Sequence, residues 1–259
     1  MKFYLPTYKE CKEIVELNPH GCFYERRHVI DDYEISIFSY RHAKYNNFIL
    51  PLENSNVNAL ELKGLTFVFE DNNTSYRRYL MLHKFWEIDQ YEHSRYELFK
   101  DNPVKNITIK EDGFLVSFIK LPNGTIISNT KTGFNDYVNY VANKYLDIKE
   151  YYDFINNCID SEIRPIFELV FSNSNRGIVN YTKQSLILTK LRCNKTGTYL
   201  NLSDFDSPMQ KVGECHKNLS DIYDIKDTTD DIEGWIVHFE NDEILKVKTK
   251  WWRVLDTPI

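Results

Sequence analysis

The sequence predicts an α+β fold whose sheets are rich in antiparallel strand pairs. Apolar segments flank short turns at Asp112-Gly113 and again at Asn241-Asp242, which is typical of strands joined by tight turns. Residues 135–146 and 150–159 instead repeat apolar side chains at helical spacing. We therefore expect two antiparallel-rich sheets with helices outside them, rather than a parallel doubly wound sheet.

Length and composition indicate a globular chain. Its 259 residues suffice for one large domain or two small ones, and 27% charged with 42% hydrophobic residues argue against disorder. We expect a single domain over residues 1–259. Aromatic residues make up 15%, which suits sheet packing and base stacking alike. The net charge of -6 argues against a globally basic nucleic-acid surface, but it allows a local basic cleft.

Cysteine usage and apolar runs indicate the compartment. The 5 cysteines are scattered and include no Cys-x-x-Cys, so neither a zinc site nor a disulfide framework is expected. The first residues hold no long apolar run, and no stretch approaches the length of a membrane span. We expect a monomeric protein of a reducing cytoplasm, without membrane contact.

The first 48 residues combine a helix with a strand pair. Residues 7–17 read as a short helix that Thr7 caps, with an apolar stripe that includes Leu17. Residues 23–40 read as paired strands with a turn at Asp31-Asp32. The segment after them, up to Phe48, reads as a polar loop held by aromatic side chains.

Two segments then carry lysines among apolar residues. Residues 60–69 read as a strand with Lys63 and Gly64 at its centre, and a glycine there often marks close approach of a ligand or another backbone. A turn follows at residues 71–73. Lys84 is flanked by large aromatic residues, and the pattern alone fits a surface lysine above core anchors as well as a site lysine.

The stretch Lys110-Glu111-Asp112-Gly113 has the strongest chemical signal. Strand, tight turn and strand would place Lys110 at the mouth of a turn, facing a pocket between two sheets. A lysine amine is a capable nucleophile once it loses its proton. The same pattern also fits a solvated lysine on a surface hairpin, so the surrounding motifs decide between the two.

The second half of the chain adds charged residues inside strands. Glu168 lies within the apolar run 166–170, where a carboxylate is costly unless it is paired or functional. Residues 186–191 read as a further strand, and 202–230 as a polar, partly helical stretch. In the last hairpin, alternation puts Lys246 and Lys248 on one face.

The motifs taken together carry a resemblance. Lys-x-Asp-Gly, Phe-Glu-Leu-Val, Glu-Gly-Trp-Ile-Val and Lys-Val-Lys follow one another in the order of the covalent nucleotidyltransferase signature. More narrowly, from about residue 23 to 255 the chain resembles the RNA ligase 1 family of T-even bacteriophages. The distinctive matches are Phe38-Ser39-Tyr40 with Tyr45, Lys84-Phe85-Trp86, Lys110-Glu111-Asp112-Gly113, Asn175-Arg176 with Tyr181, and Lys246-Val247-Lys248 before Trp251-Trp252.

This resemblance implies a nucleotidyltransferase domain, similar to ATP-grasp ligases, with an ATP cleft between its sheets. It implies an ATP-dependent RNA ligase that joins 5′-phosphate and 3′-hydroxyl ends through lysyl-AMP and an adenylylated RNA. ATP and Mg²⁺, with Mn²⁺ as a substitute, would be its cofactors, and single-stranded RNA ends its partners.

The resemblance also implies residue roles. Lys110 would be the adenylylated nucleophile, Glu168 would contact the ribose, and Glu233 would hold the metal through water, with Asp112 as a second candidate. Arg176 would contact RNA or phosphate. The remaining residues of the nucleotide site would be Tyr45, Lys63, Lys84, Trp86, Gly113, Lys131, Lys246 and Lys248.

Two departures from the family pattern and three alternatives remain. Lys63 stands where the family usually has arginine, which removes a bidentate contact to phosphate, and Gly177 looks inserted after Arg176.

Three alternatives stay open: a capping-type guanylyltransferase, another polynucleotide ligase such as a DNA ligase, and a non-catalytic RNA-end binding module. Because the sequence ends soon after Trp252, we expect no C-terminal specificity domain and little preference for tRNA.

Overall fold

The structure is a computed structural model that describes residues 3–18, 20–48, 59–70, 75–134, 136–172 and 177–257. Within them the α-helices are α1 (Tyr8–Glu16), α2 (Tyr45–Phe48), α3 (Asp136–Asn143), α4 (Lys149–Asp160), α5 (Leu219–Ile225) and α6 (Lys250–Asp256). None of these helices has the length and apolar character needed to cross a membrane.

The strands of the described residues form three sheets. They are β1 (Phe23–Ile30), β2 (Tyr33–Tyr40), β3 (Leu65–Phe69), β4 (Tyr76–Tyr79), β5 (Trp86–Glu87), β6 (Val104–Lys110), β7 (Phe114–Lys120), β8 (Ile126–Thr130), β9 (Ile163–Val170), β10 (Ser185–Cys193), β11 (Tyr199–Leu200), β12 (Gly234–Phe239) and β13 (Ile244–Lys248). Sheet 1 has the order β1-β2-β3-β4, sheet 2 the order β11-β10-β9-β7-β8, and sheet 3 the order β5-β13-β12-β6.

Antiparallel pairing dominates these sheets, as predicted. Every pair of named strands is antiparallel except β13 and β5, which run parallel. The predicted α+β class is confirmed, but the described strands form three sheets instead of two. The third arises because the last hairpin, β12 and β13, takes β6 as a partner rather than joining β7.

The segment Asp112-Gly113 joins two sheets and does not close a hairpin. Strand β6 ends at Lys110 and pairs with β12 in sheet 3, whereas β7 pairs with β8 and β9 in sheet 2. The predicted hairpin is therefore wrong, although both of its strands exist. A Cβ on Gly113 would collide with the Leu169 carbonyl oxygen, so only glycine fits this crossing. Lys110 consequently lies at the junction of sheets 2 and 3.

The predicted N-terminal helix and strand pair are present. The Thr7 hydroxyl accepts a hydrogen bond from the Glu10 amide while the Glu10 carboxylate accepts one from the Thr7 amide, so a capping box starts α1. Leu17 is 59% exposed and does not belong to the buried stripe, contrary to the prediction. Asp31 and Asp32 both have positive φ, as the tight turn between β1 and β2 requires.

The structure corrects two details before residue 75. The strand expected at residues 60–69 begins only at Leu65, so Lys63 and Gly64 precede it. Gly64 has a φ of +84°, and a Cβ there would lie 2.7 Å from the Lys131 Cα, so the predicted close backbone approach is real. The segment expected to be a loop contains α2, and the turn expected at 71–73 lies outside the described residues.

Two apolar clusters and one buried ion pair hold the sheets together. One cluster packs sheet 3 against sheet 1, α1 and α5, and the other packs α3 and α4 against sheet 2. The fully buried Arg192 of β10 places two guanidinium nitrogens 2.8 and 2.7 Å from the carboxylate oxygens of Glu61, which is 5% exposed. This pair ties sheet 2 to the segment that leads into Lys63.

Glu61→Ala should lower the free energy of unfolding by about 3–5 kcal/mol, because it leaves the buried Arg192 charge without its partner. Urea unfolding measures the change. The matched control is Lys149→Ala, which breaks the exposed pair with Asp153 and should cost under about 0.5 kcal/mol. Equal effects of the two variants would contradict a structural role for the buried pair.

Candidate functional site

A cleft of about 670 Å³ opens where sheets 2 and 3 meet. Lys110, Lys246 and Lys248 enter it from sheet 3, and Glu168 enters it from sheet 2. The cleft therefore collects the predicted nucleophile and both lysines of the last strand. Further predicted site residues that line it are Lys63, Lys84, Gly113, Lys131 and Glu233.

A carboxylate at the centre of the cleft bridges two lysines. Glu233 is 4% exposed, with Oε2 2.5 Å from the Lys110 Nζ and Oε1 3.0 Å from the Lys248 Nζ. The strand register produces this arrangement, since Gly234 of β12 pairs with Lys110 on one side and with Lys248 on the other. Glu233 directly precedes Gly234, so its carboxylate reaches both amines.

Further lysines line the cleft around this triad, and four of them, Lys63, Lys84, Lys131 and Lys246, were predicted site residues. Burial, then Lys84, Lys110 and Lys248, lower the pKa of Lys246 to about 7. Burial and then Lys131 lower the pKa of Lys84 to about 8. Burial also lowers the pKa of Lys131, and it lowers that of Lys63 well below the ordinary value. So many cations in one concave site favour a polyanionic ligand.

Glu168 is the second predicted carboxylate of the cleft, after Glu233. Its Oε1 accepts a hydrogen bond of 3.2 Å from the Gly113 amide, which links it to the Lys-x-Asp-Gly segment. Burial raises the pKa of this carboxyl to about 7, although Lys110 acts in the opposite direction. Glu168 is therefore protonated in part of the molecules at neutral pH.

Tyr45 and Trp86 do not line the cleft, in contrast to the expectation. Their rings lie 5.4 Å apart in an aromatic cluster, and the Lys84 Nζ sits 4.5 Å from the Trp86 ring. The Trp86 ring therefore contacts Lys84 without lining the cleft itself. Tyr40 lines the cleft instead, with the Lys84 and Lys131 Nζ atoms each 5.7 Å from its ring.

Asp112 is turned away from the cleft. Its carboxylate accepts hydrogen bonds from the amides of Ile178 and Val179, at 2.6 and 2.9 Å, and so holds the neighbouring loop. The structure thus gives Asp112 a structural use and does not bring it to Glu233. Arg176 lies outside the described residues.

The donor set of the cleft suits a metal ion that shares its coordination with a ligand. The described residues contain no group of three or more His, Cys, Asp and Glu side chains that could hold a metal. Among the residues that the structure describes, the cleft has three carboxylates. Glu111 accepts a hydrogen bond from the Tyr181 hydroxyl, so Glu168 and Glu233 are the two that a metal ion could use. Mg²⁺ commonly binds through one or two carboxylates together with water and substrate phosphates, so this set fits it.

Tyr40 and Lys190 are among the residues that line the cleft but were not predicted from the sequence. Tyr40 ends a strand within a segment that was quoted for its resemblance, but nothing local marks its ring as exposed to a cleft. Lys190 could have been found, because it interrupts the apolar run 186–191 as Glu168 interrupts its own strand.

The fold is shared with solved ligase structures, and a family described as RNA ligase matches residues 61–252. Because that match spans most of the chain, the protein belongs to this RNA ligase family, and the resemblance to the T-even bacteriophage type is confirmed.

Solved structures share the fold at low sequence identity. Two forms of an archaeal ATP-dependent RNA ligase have TM-scores of 0.66 and 0.64 at 13% and 12% identity. A protein of Aquifex aeolicus, provisionally described as an ATP-dependent DNA ligase, has a TM-score of 0.59 at 14% identity. Each match covers 96% of this chain but only 63% or 64% of the other, so the chain spans less than two thirds of their lengths.

Stability should depend on pH through Glu168. The folded carboxyl binds its proton up to about pH 7, whereas an unfolded one releases it near 4.3, so this group's contribution falls as pH rises between these values. The Glu168→Gln variant has no carboxyl to titrate at this position. The difference in unfolding free energy, variant minus wild type, should therefore be about 1–3 kcal/mol larger at pH 8 than at pH 4.5. Urea unfolding at both pH values tests this, and a constant difference would contradict it.

Proposed function

We propose that this chain is the adenylyltransferase domain of an ATP-dependent RNA ligase, which joins RNA 5′-phosphate and 3′-hydroxyl ends. The supporting observation is the triad of Lys110, Glu233 and Lys248 in a lysine-rich cleft, in a chain of the RNA ligase family. We treat residues 1–259 as a single catalytic domain in this proposal.

In the first step, the Lys110 amine attacks the α-phosphorus of ATP. The new bond joins Nζ to phosphorus, and the bond to the pyrophosphate oxygen breaks. The amine must first give up a proton, and the Glu233 Oε2 at 2.5 Å is positioned to accept it. Lys246 and Lys248 stabilise the negative charge that shifts towards pyrophosphate.

Glu233 and Glu168 are the residues that would hold Mg²⁺, with Mn²⁺ as a substitute. When bound, such an ion supplies positive charge beside the phosphate oxygens. Lys248 has a second support, since its Nζ lies 3.5 Å from the Trp252 ring.

The later steps use the same cleft. AMP passes from Lys110 to an RNA 5′-phosphate, and a 3′-hydroxyl then displaces AMP to seal the strand. Lysines hold phosphates without reading sequence, and aromatic side chains at the cleft such as Tyr40 and Phe114 offer stacking surfaces to free bases. We therefore propose single-stranded RNA ends as substrates, with Arg176 as a further phosphate contact.

Lys110→Ala and Lys110→Arg should both abolish the covalent AMP adduct. Alanine removes the amine, whereas arginine keeps a cation beside Glu233 but cannot act as a nucleophile. Incubation with ATP and Mg²⁺, followed by intact mass, measures the adduct, and joining of a single-stranded RNA measures the whole reaction.

The control for this experiment is Lys100→Ala, an exposed lysine outside the cleft, which should keep full adduct formation. Adduct in either Lys110 variant would place the nucleophile elsewhere. An adduct that forms from GTP but not from ATP would favour a capping-type guanylyltransferase instead.

Nucleotide binding at pH 8 should be accompanied by proton uptake. Lys246 has a pKa of about 7, so it is largely neutral at pH 8 in the free cleft, and adjacent phosphates would restore its charge. Calorimetry of α,β-methylene-ATP binding in buffers of different ionisation enthalpy counts these protons. Lys246→Arg, always charged, should reduce the uptake by an amount on the order of one proton, whereas the exposed control Lys217→Arg should not; equal uptake in both would contradict this.

A further inference from the structure

Lys190 is a largely buried lysine that lines the cleft. It is 7% exposed, and among the described residues its ammonium group has no hydrogen bond or ion pair, although Glu214 acts on it at longer range. Arg192, two residues further along β10, is buried too, but Glu61 neutralises it. A largely buried ammonium that no carboxylate contacts closely is costly to the fold, which favours a binding role over a stabilising one.

The strand register aims Lys190 into the cleft. Lys190 pairs with Ile166, which lies two residues before Glu168 on β9, so Lys190 and Glu168 share one face of sheet 2. A register shift between Leu188 and Lys190 marks an irregularity at Thr189, whose hydroxyl donates a hydrogen bond of 3.0 Å to the Ile166 carbonyl. Both Thr189 and Lys190 line the cleft.

The next row of cleft residues along β6 and β12 after Lys110 carries no charge. On sheet 3, Lys110 pairs with Gly234 of β12, and two residues further on Ile236 pairs with Thr108. At about 3.3 Å per residue, this second row lies roughly 7 Å from the nucleophile. Thr108 and Ile236 of this row line the cleft, as do the apolar Val212 and Ile244 and, from sheet 2, Thr189 and Lys190.

A nucleoside triphosphate matches this polarity. Its phosphates belong beside Lys110 and the lysine cluster, and its flat heterocyclic base suits the apolar walls. An ammonium group only donates hydrogen bonds, and the adenine ring offers the acceptor nitrogens N1, N3 and N7. We propose, on the basis of the function proposed above, that Lys190 donates a hydrogen bond to an adenine ring nitrogen and contributes to nucleobase selection.

The electrostatic neighbours of Lys190 support this role. Burial and then Lys105 lower the pKa of Lys190 to about 8, while Glu214 acts in the opposite direction. Lys190 is thus mostly charged at pH 7 and can donate. His238 stays neutral, because burial and then Lys190 lower its pKa to about 3.

Lys190→Met tests the proposal, since methionine keeps length and loses the donor. Lys195→Met, an exposed lysine just beyond β10, is the matched control. The dissociation constant of ATP should rise about tenfold or more in Lys190→Met and stay within about twofold in the control. Tripolyphosphate, which has no base, should bind equally to all three proteins.

A second measurement, made first on the wild-type protein, excludes misfolding of the variant as the cause. The 1-, 3- and 7-deaza analogues of ATP each replace one ring nitrogen by a C–H group. One of these analogues should bind the wild-type protein about tenfold more weakly than ATP binds it. Lys190→Met should bind the same analogue and ATP with equal affinity, because the donor is already lost.

Three results would overturn the inference: unchanged ATP affinity in Lys190→Met, a parallel loss of tripolyphosphate affinity, or equal binding of all deaza analogues and ATP to wild type. The function proposed for the cleft is tested separately by adduct formation in the wild-type protein. If the adduct forms and the Lys190 results fail, only the role of Lys190 is wrong, whereas absence of the adduct contradicts the ligase proposal itself.

Discussion

The ion triad of Lys110, Glu233 and Lys248 is the interaction on which the rest of the site depends. A buried carboxylate is stable only when it is paired, and here both of its oxygens are used. The pairing requires β6 and β13 to flank β12 in one register, which fixes the end of β6. Because the chain then crosses to sheet 2 within three residues, the same register also fixes Gly113 against Glu168.

The cleft is stable despite its own charge because the sheets hold its lysines in place. Lys63, Lys84 and Lys246 all have lowered pKa values, so the free site disfavours their charged forms. Bound phosphates would favour the charged forms of these lysines, so the mutual repulsion that the lysines have in the free site would be relieved on binding. Lysine suits such a site at position 63, since it can release its proton, whereas the arginine usual in the family would remain charged.

Sequence patterns predicted the strands well and their partners poorly. Alternation and turn residues identified the strand pairs at Asp31-Asp32 and Asn241-Asp242, where both strands are adjacent in the chain. The same signals at Asp112-Gly113 predicted a hairpin that does not form. Alternation indicates which face of a strand is buried, but it does not indicate which strand lies beside it. Charged cleft residues were predictable from motifs. The packing of Trp86 and Tyr45 against each other, away from the cleft, depends on tertiary contacts that no local pattern encodes.

Glu168 and Lys190 are both charged residues within apolar strands of sheet 2, and this pattern alone points to the cleft. Both interrupt apolar strands, and both prove to face the same cleft from sheet 2. Glu168 accepts a hydrogen bond from Gly113, so part of its burial is compensated within the protein. Lys190 has no hydrogen bond of this kind among the described residues, and of their carboxylates only Glu214 acts on it, without forming an ion pair. A weakly compensated charge in a cleft therefore indicates a binding role more directly than a paired one does.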